Sequence, residues 1–495
     1  MRLTAAEIAA AVKGKLLCGS ADTMIENIST ASGTMKGADL FVPIIGARVD
    51  AHRFIGDAFA HGAAATLSSE GLPEQAAASG WPVIGVEDTM QALQDLGAYY
   101  RSRYVRIPYI GVTGSVGKTT TREMIAAALS EGLRTYSTKG NANSQSGVPI
   151  TVTETDPDAK IGVIEMGISE FGEMHRISRV VQCDMAVVTV IGISHIANLG
   201  SQENIMKEKL HILDGMKDGG ILLLNGDDPL LREITPDRLH GWGIACDRNI
   251  RILFYGTGEN AAIRAENIRE EDGCPVFDLV VAGDLLSPGT GGKDAVSDTA
   301  DGGNAVYLMR LSVPGMHMVL NSLAAFAAAV LNGVDPRSAI RGLQGFESLS
   351  GRGRITEKNG IKVINDAYNA APQSMTAGLR VLDAMPASGR HIAVLADMLE
   401  LGPEEARYHR EVGETIAREL RHLDEVWLYG NLARHIGEGI ENAADPGEKT
   451  CLIRHYTDRG ALQEDLRQHL KAGDAVLFKG SNSMKLSAVA EDLIT

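Results

Sequence analysis

Cysteine is scarce in this sequence of 495 residues, and no two cysteines form a C-x-x-C pair. The cysteines are widely spread along the chain, at Cys18, Cys183, Cys246, Cys274 and Cys451. An odd, scattered set excludes the disulfide framework of a small secreted domain and lacks the spacing of a zinc site. We therefore expect reduced thiols in a cytosolic protein.

Long apolar runs and an excess of basic charge are also missing. No run reaches the roughly 18 apolar residues that a membrane helix needs. The first 17 residues carry charges through a mildly apolar stretch, which is not the pattern of a signal peptide. The formal net charge of −16 excludes a general nucleic-acid or anionic-membrane binder, although a local basic pocket could still hold an anionic substrate. We expect a cytoplasmic protein that acts on small molecules, with no nucleic-acid or membrane partner, as a monomer.

The chain is too long for one hydrophobic core, so about two to four domains are expected. Short helices and strands alternate over the first hundred residues, with helices predicted at 4–12, 53–61 and 90–100 and strands at 40–44 and 82–86. Ile107-Pro108 interrupts this pattern, which places a first boundary near residue 105.

The rest of the chain repeats strand, turn and helix in two further series. Buried parallel strands are predicted at 109–112, 161–166, 185–191, 221–224 and 252–255, and a fresh series has strands at 362–364, 392–395, 425–429 and 475–478. The segment 287–304 is rich in Gly, Asp, Ser and Thr, and we expect a solvated, mobile loop without a function. The predicted fold is α/β with a smaller N-terminal domain over 1–105, a central P-loop-type, mostly parallel sheet domain over 106–350 and a Rossmann-like C-terminal domain over 351–495.

The strongest local pattern is a glycine-rich turn between an apolar strand and an amphipathic helix. Gly114 and Gly117 permit backbone N–H groups to approach phosphate oxygens at the start of a helix. Lys118 supplies a mobile positive charge for the terminal phosphates, and the Thr119 hydroxyl is a suitable ligand for Mg²⁺. The strict motif has another glycine where this chain has Val112, so the match is to the shorter form G-S-x-G-K-T. The pattern predicts a nucleoside-triphosphate site; the alternative is an ordinary strand-to-helix turn with a surface lysine.

Three further residues are candidates for a metal site beside this loop. Glu165 ends a predicted strand, where a carboxylate suits Mg²⁺, although an exposed polar residue at a strand end fits equally well. His195 follows another strand, and a lone histidine is more often structural than a ligand. Lys209 lies in a helical stretch, where lysine is normally solvated, and we expect its neighbours Lys207 and Glu208 to face solvent. These residues alone do not decide between a metal site and ordinary structure.

These pieces, in this order, resemble the Mur ligases, the ATP-dependent enzymes that build the peptide stem of peptidoglycan. The motifs are T-G-S-x-G-K-T-T at 113–120, E-M-G at 165–167, His195, Lys209, L-N-G-D-D-P at 224–229, G-x-H-x-x-x-N at 315–321 and G-R at 351–352. Four other segments resemble the family branch that adds D-alanyl-D-alanine: 37–55, V-I-N-D-A-Y-N-A-A-P at 363–372, L-A-D-M-L-E-L-G at 395–402 with His409 downstream, and F-K-G-S-N-S-M-K-L at 478–486. Because the motifs span all three predicted domains, their combination is far more specific than any one of them.

The resemblance implies a role for each matching residue. ATP would be bound by Gly114, Ser115, Gly117, Lys118, Thr119, Thr120, Asn321, Arg352 and Asp366, and two Mg²⁺ sites would involve Thr119, Glu165, His195 and Lys209. The catalytic residues would be Lys118, His195 and Lys209, and substrates would contact Ser32, Asn143, Tyr368 and Asn369. Lys209 matches a lysine that family members carbamylate, which would need a lowered pKa. Arg354 is an alternative to Arg352, because the G-R-G-R repeat leaves the register open.

The chain departs from the family pattern in several places. Ala31 and Gly33 stand where D-S-R is common, which changes the contacts expected for uridine diphosphate. Ser144, Ala371 and Ala396 stand where asparagine, asparagine and glycine are usual. The ATP and metal positions are intact.

The implied reaction joins D-alanyl-D-alanine to a UDP-N-acetylmuramoyl-tripeptide through an acyl phosphate, with ATP and Mg²⁺ as cofactors. The alternatives are another Mur-type ligase, a folylpolyglutamate synthetase, and a nucleotide-dependent regulatory homologue without activity. A generic P-loop kinase or GTPase would leave the outer domains without a purpose. We predict hinges near residues 105 and 350, and the third residue of the tripeptide (meso-diaminopimelate or lysine) is not visible in any motif.

Overall fold

The computed structural model describes residues 1–46, 48–244, 248–271, 273–285, 303–443 and 451–494. Cys246 and most of the loop predicted at 287–304 lie outside the described residues. Within them, helices alternate with mostly parallel strands in three main sheets, which confirms the predicted three-domain α/β class. The described cysteines, Cys18, Cys183, Cys274 and Cys451, are free thiols.

The first sheet is parallel except for its antiparallel edge strand, Lys15–Cys18. In sheet order its strands are Lys15–Cys18, Val83–Gly85, Ala63–Ser68, Asp39–Phe41 and Asn27–Ser29, beside a short pair, Leu3–Thr4 and Met24–Ile25. Its helices are Ala5–Ala11, Ile55–Ala60, Glu74–Ser79 and Thr89–Tyr104, with 3₁₀ turns at Ser32–Thr34 and Ala51–Phe54.

Local sequence explains where two of these elements begin and end. Thr4 caps the first helix: its hydroxyl accepts from the Glu7 N–H at 3.2 Å, and the Glu7 carboxylate accepts from the Thr4 N–H at 2.9 Å. The strand predicted at 40–44 stops at Phe41, because Pro43 has no N–H to donate to a neighbouring strand.

The central sheet carries the glycine-rich turn on one of its inner strands. In sheet order its strands are Ala305–Arg310, Cys274–Val281, Ile263–Glu271, Arg251–Gly256, Ile221–Asn225, Met185–Val188, Tyr109–Thr113, Ile161–Glu165 and Thr135–Ser137. All are parallel from Ile263–Glu271 onward, whereas Cys274–Val281 runs antiparallel to both of its neighbours. The sequence had not predicted this antiparallel extension.

Helices cover both faces of the central sheet. They are Lys118–Ser130, Gly147–Thr153, Glu173–Val181, Ile196–Leu199, Gln202–Leu210, Pro236–Gly241, His317–Leu331 and Pro336–Gln344, with 3₁₀ turns at His211–Gly215, Leu231–Glu233 and Gly283–Leu285. The helix that follows the glycine-rich turn packs against His317–Leu331, whose side chains are buried along most of its length. This packing fixes the start of that helix, and so fixes the turn.

The third sheet is parallel apart from its first strand. In sheet order its strands are Arg354–Lys358, Ile361–Asn365, Ala475–Lys479, His391–Ala396, Leu423–Tyr429 and Leu452–Tyr456. Its helices are Pro372–Ala384, Glu405–Glu419, Arg434–Ala443, Arg459–His469 and Leu486–Ile494, with 3₁₀ turns at Gly402–Glu404 and Asn482–Met484.

The central and third sheets direct loops at the carboxyl ends of their strands toward a shared cavity. The boundaries proposed near 105 and 350 fall in segments between sheets and stay a prediction. Among the described residues, no helix combines the length and apolar character that crossing a bilayer requires.

Candidate functional site

A cavity of about 810 Å³ lies between the central and third sheets. The central sheet contributes the glycine-rich turn and the loops after two neighbouring strands, and the third sheet contributes loops from four places in the last part of the chain. The residues that line it include Ser115, Gly117, Lys118, Thr119, Thr120, Asn143, Glu165, His195, Asn321, Arg352, Asp366, Tyr368 and Asn369. The structure thus brings together most of the residues that the sequence singled out.

The glycine-rich turn depends on glycine at two positions. Gly114 has φ +149°, and a Cβ there would lie 1.9 Å from Thr189 Oγ1. Gly117 has φ +84° and begins the helix as its N-cap. Lys118 Nζ donates to the carbonyl oxygens of Gly114 at 2.8 Å and Ser115 at 3.3 Å, so the lysine folds back over the turn.

Lys118 is half-buried, and the exposed part of its side chain lines the cavity. Burial lowers the pKa of Lys118; the Glu165 carboxylate opposes this effect and the Arg352 guanidinium adds to it. The turn therefore presents the Lys118 cation beside Arg352, a second cation from the third sheet's domain. Such a pair attracts a polyanion such as a triphosphate.

Glu165 is buried at 1% exposure, so it is not an exposed strand terminator. Its Oε1 accepts from Thr119 Oγ1 at 3.2 Å and from Asn143 Nδ2 at 2.6 Å. Its Oε2 lies 3.2 Å from Arg122 Nη1, and Arg122 is itself fully buried. A buried carboxylate thus stands next to the Thr119 hydroxyl, with Arg122 balancing its charge.

Lys209 is also buried, at 1% exposure. Burial and the positive charge of Lys118 lower the pKa of Lys209 well below its ordinary value, while Glu208 and Glu173 oppose this shift. The expectation that Glu208 faces solvent is wrong. Its carboxylate accepts from the N–H groups of Gly172 at 3.0 Å and Met174 at 2.9 Å, and so stabilises the N-terminus of the helix Glu173–Val181.

His195 and Glu400 meet across the cavity from different sheets. His195 Nδ1 lies 2.7 Å from Glu400 Oε2, and this approach leaves the buried Nδ1 without an aligned hydrogen bond. The imidazole lowers the pKa of the Glu400 carboxyl below its usual range. Both residues line the cavity.

The third sheet supplies a second set of polar groups. Arg352 lies over the Tyr368 ring, with its guanidinium carbon 3.7 Å from the ring centroid. Lys479 Nζ donates to Asp366 Oδ2 at 2.5 Å and to the Asn369 carbonyl oxygen at 3.4 Å. These contacts fix the D-A-Y-N segment, so its side chains face the cavity in a defined arrangement.

Four residues predicted for the site are not among those that line the cavity. Gly114 lies within the turn itself, and Lys209 is buried in the helix Gln202–Leu210. Arg354 is exposed at the start of Arg354–Lys358 and does not line the cavity, whereas Arg352 does. Ser32 lies in the first sheet's 3₁₀ turn, also outside this cavity.

Comparisons with known proteins extend over the whole chain. Family models match for the Mur ligase middle domain over 112–329, for the glutamate ligase domain of Mur ligases over 351–482 and for the catalytic domain of the Mur ligase family over 24–101. A protein of Bacillus subtilis (strain 168) named UDP-N-acetylmuramoyl-tripeptide–D-alanyl-D-alanine ligase is 34% identical over 497 aligned residues, which cover 100% of this chain and 99% of its own. The chain belongs to the Mur ligase family. The resemblance predicted from the motifs is confirmed.

Another relative has the same name as the Bacillus subtilis protein, and two solved structures have a fold similar to that of this Mur ligase. The Escherichia coli (strain K12) protein with that name is 30% identical, covering 96% of this chain and 94% of its own. A crystal structure of MurF from Acinetobacter baumannii has a TM-score of 0.83 at 25% identity, covering 100% and 99%. The MurF ligase from Thermotoga maritima in complex with ADP has a TM-score of 0.74 at 25% identity, covering 94% and 96%.

Sequence reasoning missed several residues of the cavity in this Mur ligase. Arg122, Glu173 and Lys479 carry charge beside it, and Glu400 reaches His195. Lys479 and Glu400 lie inside the quoted K-G-S and D-M-L-E-L-G segments, which was the only available signal. Nothing in the local pattern marks Arg122 or Glu173, because both lie on ordinary amphipathic helices.

A separate group of potential ligands lies in the first sheet's domain. Asp50, His52 and Glu70 have ligand-type atoms within 4.8 Å of one another. The His52 ring is already bonded on both sides: Nδ1 lies 2.6 Å from Asp50 Oδ1, and Nε2 accepts from the Ser69 N–H at 3.1 Å. These two contacts are enough to explain His52 as a structural residue.

Proposed function

We propose that this Mur ligase joins D-alanyl-D-alanine to a UDP-N-acetylmuramoyl-tripeptide, with conversion of ATP to ADP and phosphate. The observation that supports the proposal is the shared cavity, which is lined by both the glycine-rich turn and the D-A-Y-N segment. The relatives that align over nearly the full chain carry the name of this activity. Through the peptidoglycan precursor, the reaction serves cell-wall synthesis, and hence cell shape and division.

The reaction proceeds in two transfers. The terminal carboxylate of the tripeptide attacks the γ-phosphorus of ATP, which gives an acyl phosphate and releases ADP. The amine of D-alanyl-D-alanine then attacks the acyl carbon, and the tetrahedral intermediate collapses with loss of phosphate. No enzyme nucleophile takes part, so the chain contributes position and charge.

Different residues of the cavity bind the triphosphate, the rest of the nucleotide and the peptide substrates. The N–H groups of the turn and Lys118 hold the triphosphate, helped by Ser115, Thr120 and Asn321 near the start of two helices. Arg352 and Asp366 hold the nucleotide from the third sheet. Asn143, Tyr368 and Asn369 contact the reacting peptides, and closure of the cavity excludes water from the acyl phosphate.

The donor set fits Mg²⁺. Thr119 Oγ1 and Glu165 Oε1 are 3.2 Å apart, close to the roughly 3 Å expected between adjacent ligands of an octahedral ion with metal–oxygen distances of about 2.1 Å. Bound there, the ion would supply charge neutralisation for the transferring phosphoryl group. His195 and Lys209 would hold a second Mg²⁺.

Lys209 is the residue that we propose to carry a carbamate. Carbamylation needs a neutral amine, and burial beside Lys118 lowers the Lys209 pKa in the required direction. The modification replaces a buried amine by an anion with two oxygens, which is a suitable ligand for Mg²⁺.

The remaining proposals concern the rest of the molecule. The domain over 1–105 binds the UDP-sugar, with Ser32 as one contact, the domain over 106–350 binds ATP, and the domain over 351–495 closes over the nucleotide. Both nucleotide substrates belong to the cell interior, which supports a cytoplasmic location, and the cavity is built from one chain, which supports a monomer.

The test is phosphate release from ATP by the full chain with Mg²⁺ and each common UDP-N-acetylmuramoyl-tripeptide, with and without D-alanyl-D-alanine. We expect release that requires both substrates and disappears in Lys118→Ala. A single amino acid in place of the dipeptide should not support release. Release with an earlier stem precursor would instead identify a different Mur-type ligase, and ATP binding without release would favour a regulatory protein.

A further inference from the structure

The loop that carries Glu400 crosses from the third sheet to the central sheet. Glu400 follows the strand His391–Ala396, and His195 follows the strand Met185–Val188. The two side chains approach to 2.7 Å. Their backbones have φ of +66° and +63°, a left-handed conformation that costs about 1 kcal/mol or more for residues other than glycine. The contact therefore forms although both residues adopt an unfavourable conformation.

Hydrogen bonds from outside the loop hold Glu400 in this position. His409 is fully buried, and its Nε2 accepts from the Met398 N–H at 2.9 Å. Ser481 Oγ accepts from the Leu399 N–H at 3.0 Å. The backbone on the N-terminal side of Glu400 is thus fixed by two different segments of the third sheet's domain.

The far end of the loop touches the segment that carries His195. A Cβ added to Gly402 would lie 3.3 Å from Ala197 Cα, so the two backbones are in close contact. The short helix Ile196–Leu199 and the 3₁₀ turn Gly402–Glu404 pack together at this point. The contact between the two domains is therefore a packed surface, of which the Glu400–His195 approach is the polar part.

The orientation of the imidazole follows from this packing. His195 Nδ1 is buried and faces Glu400, while the residue as a whole lines the cavity. Nε2 is therefore the ring nitrogen left to meet a ligand in the cavity. A histidine that binds a metal through one nitrogen commonly donates its other N–H to a carboxylate, which fixes the tautomer and the ring plane.

We propose that Glu400 is a positioning residue for His195: its carboxylate holds the Nδ1–H tautomer, so that Nε2 is presented to the cavity. Because Glu400 belongs to the third sheet's domain, His195 reaches this state only when that domain is seated on the central one. The inference rests on the proposed function only for its catalytic consequence.

The first test is the tautomer of His195, measured by ¹⁵N–¹H correlation in the full chain with ¹⁵N-labelled histidine, above the ordinary histidine pKa of about 6.5. The His195 signals are assigned by their loss in His195→Gln. We expect the Nδ1–H tautomer in the wild type and in the exposed-site control Glu404→Gln, and a shift toward Nε2–H in Glu400→Leu, which has no acceptor atom. An unchanged tautomer in Glu400→Leu would overturn the proposal, whether or not the protein is a ligase.

The second test is kinetic and depends on the ligase reaction. Glu400→Gln should lower kcat roughly tenfold to a hundredfold with little change in KM for ATP, Glu400→Asp should recover part of the loss, and Glu404→Gln should match the wild type. A loss confined to KM, or no loss relative to Glu404→Gln, would contradict a positioning role. If no variant and no wild type shows turnover, the proposed function fails, while the tautomer measurement still decides the role of Glu400.

Discussion

At the scale of single residues, the cavity gathers charge from distant parts of the chain. Lys118 and Glu165 come from the central sheet's domain and Arg352 from the third sheet's domain, yet the Glu165 carboxylate acts on the pKa of both cations. Arg352 and the buried Lys209 each have a near neighbour of the same type in a more exposed position. These pairs allow the role of each cation to be separated from the effect of charge alone.

Arg352 and Arg354 form the first pair. Arg352 stacks on Tyr368 in the cavity, whereas Arg354 is exposed. We expect Arg352→Ala to raise KM for ATP roughly tenfold, equivalent to about 1.4 kcal/mol, and Arg354→Ala to change it by less than about twofold. Steady-state kinetics with varied ATP measures both. A larger effect from Arg354 would mean that the motif register is shifted by two residues.

Lys209 and Lys207 form the second pair. Lys209 is buried, while Lys207 is half-exposed and its Nζ lies 2.9 Å from Glu203 Oε1. Lys209→Met should lower kcat more than about a hundredfold, as expected for loss of a metal ligand, without lowering the melting temperature, because an apolar side chain of similar length suits a buried position. Lys207→Met should stay active.

The carbamate proposed for Lys209 can be tested directly by ¹³C NMR. Wild-type protein in ¹³C-bicarbonate should give a carbamate carbon resonance that is absent in Lys209→Met and present in Lys207→Met. A fully active wild-type protein without this resonance would remove the carbamate from the mechanism.

At the scale of elements, the amino end of the third sheet depends on a buried network around Asp474. Its side chain is 3% exposed and accepts from Arg390 Nη2 at 2.6 Å and from the Lys471 N–H at 2.9 Å. Burial raises the pKa of Asp474, but the hydrogen bonds from Arg390 and Lys471 outweigh it and leave the pKa below the ordinary 3.8. Such a carboxyl stabilises the fold above its unfolded pKa and loses that effect as the pH falls through its folded pKa.

Asp474→Asn should therefore lower the free energy of unfolding by about 2 kcal/mol near neutral pH. The difference from the wild type should be constant down to about pH 5 and should shrink below about pH 4. Thermal unfolding across this pH range measures it, with the exposed Asp465→Asn as control. A difference that grows as the pH falls would contradict the assigned direction of the pKa shift.

Strands that are buried on both faces were the elements that the sequence predicted best. Strands buried on both faces, such as Tyr109–Thr113 and Ile161–Glu165, are continuous apolar runs, and the sequence located them within one or two residues. The antiparallel pairing of Cys274–Val281 with its two neighbours was not predicted. This strand is mostly buried and apolar, and such a pattern does not reveal whether the neighbouring strands run parallel or antiparallel. Glu208 was placed in solvent because a helical pattern does not reveal a neighbouring helix N-terminus that needs an acceptor.

At the scale of the whole molecule, the sequence predicted the cavity residues through motifs and could not predict which of them meet. The Glu400–His195 contact joins loops that are some two hundred residues apart, as counted along the chain. The cluster of Arg122 with Glu165 likewise depends on the pairing of two sheet neighbours. Both contacts result from the topology of the fold, which local sequence patterns do not reveal.

The junction between the first two domains is tied down by Arg101. This buried side chain donates from Nε to the Val181 carbonyl at 2.8 Å and from Nη1 to those of Val105 and Ile107 at 2.7 and 3.0 Å. Its guanidinium also lies 4.0 Å from the centroid of the Tyr109 ring. These bonds tie the segment around residue 105 to the end of the helix Glu173–Val181, and the two hinges stay predictions.

Arg101→Met should therefore loosen this junction. We expect a loss of about 3 kcal/mol in unfolding free energy, because several buried carbonyl groups lose their donor, and faster proteolytic cleavage between residues 104 and 108. Arg103→Met, on the exposed side of the same helix, should behave like the wild type. Equal cleavage of the two variants would mean that Arg101 does not hold the junction.

The central claim is that the chain activates the tripeptide carboxylate as an acyl phosphate and joins it to D-alanyl-D-alanine. The most direct measurement is the fate of ¹⁸O placed in both oxygens of that carboxylate, followed by mass spectrometry of the products. We predict one ¹⁸O in the released phosphate and one in the new amide carbonyl of the pentapeptide product. Phosphate released without ¹⁸O would contradict the claim, because ATP would then have been hydrolysed by water.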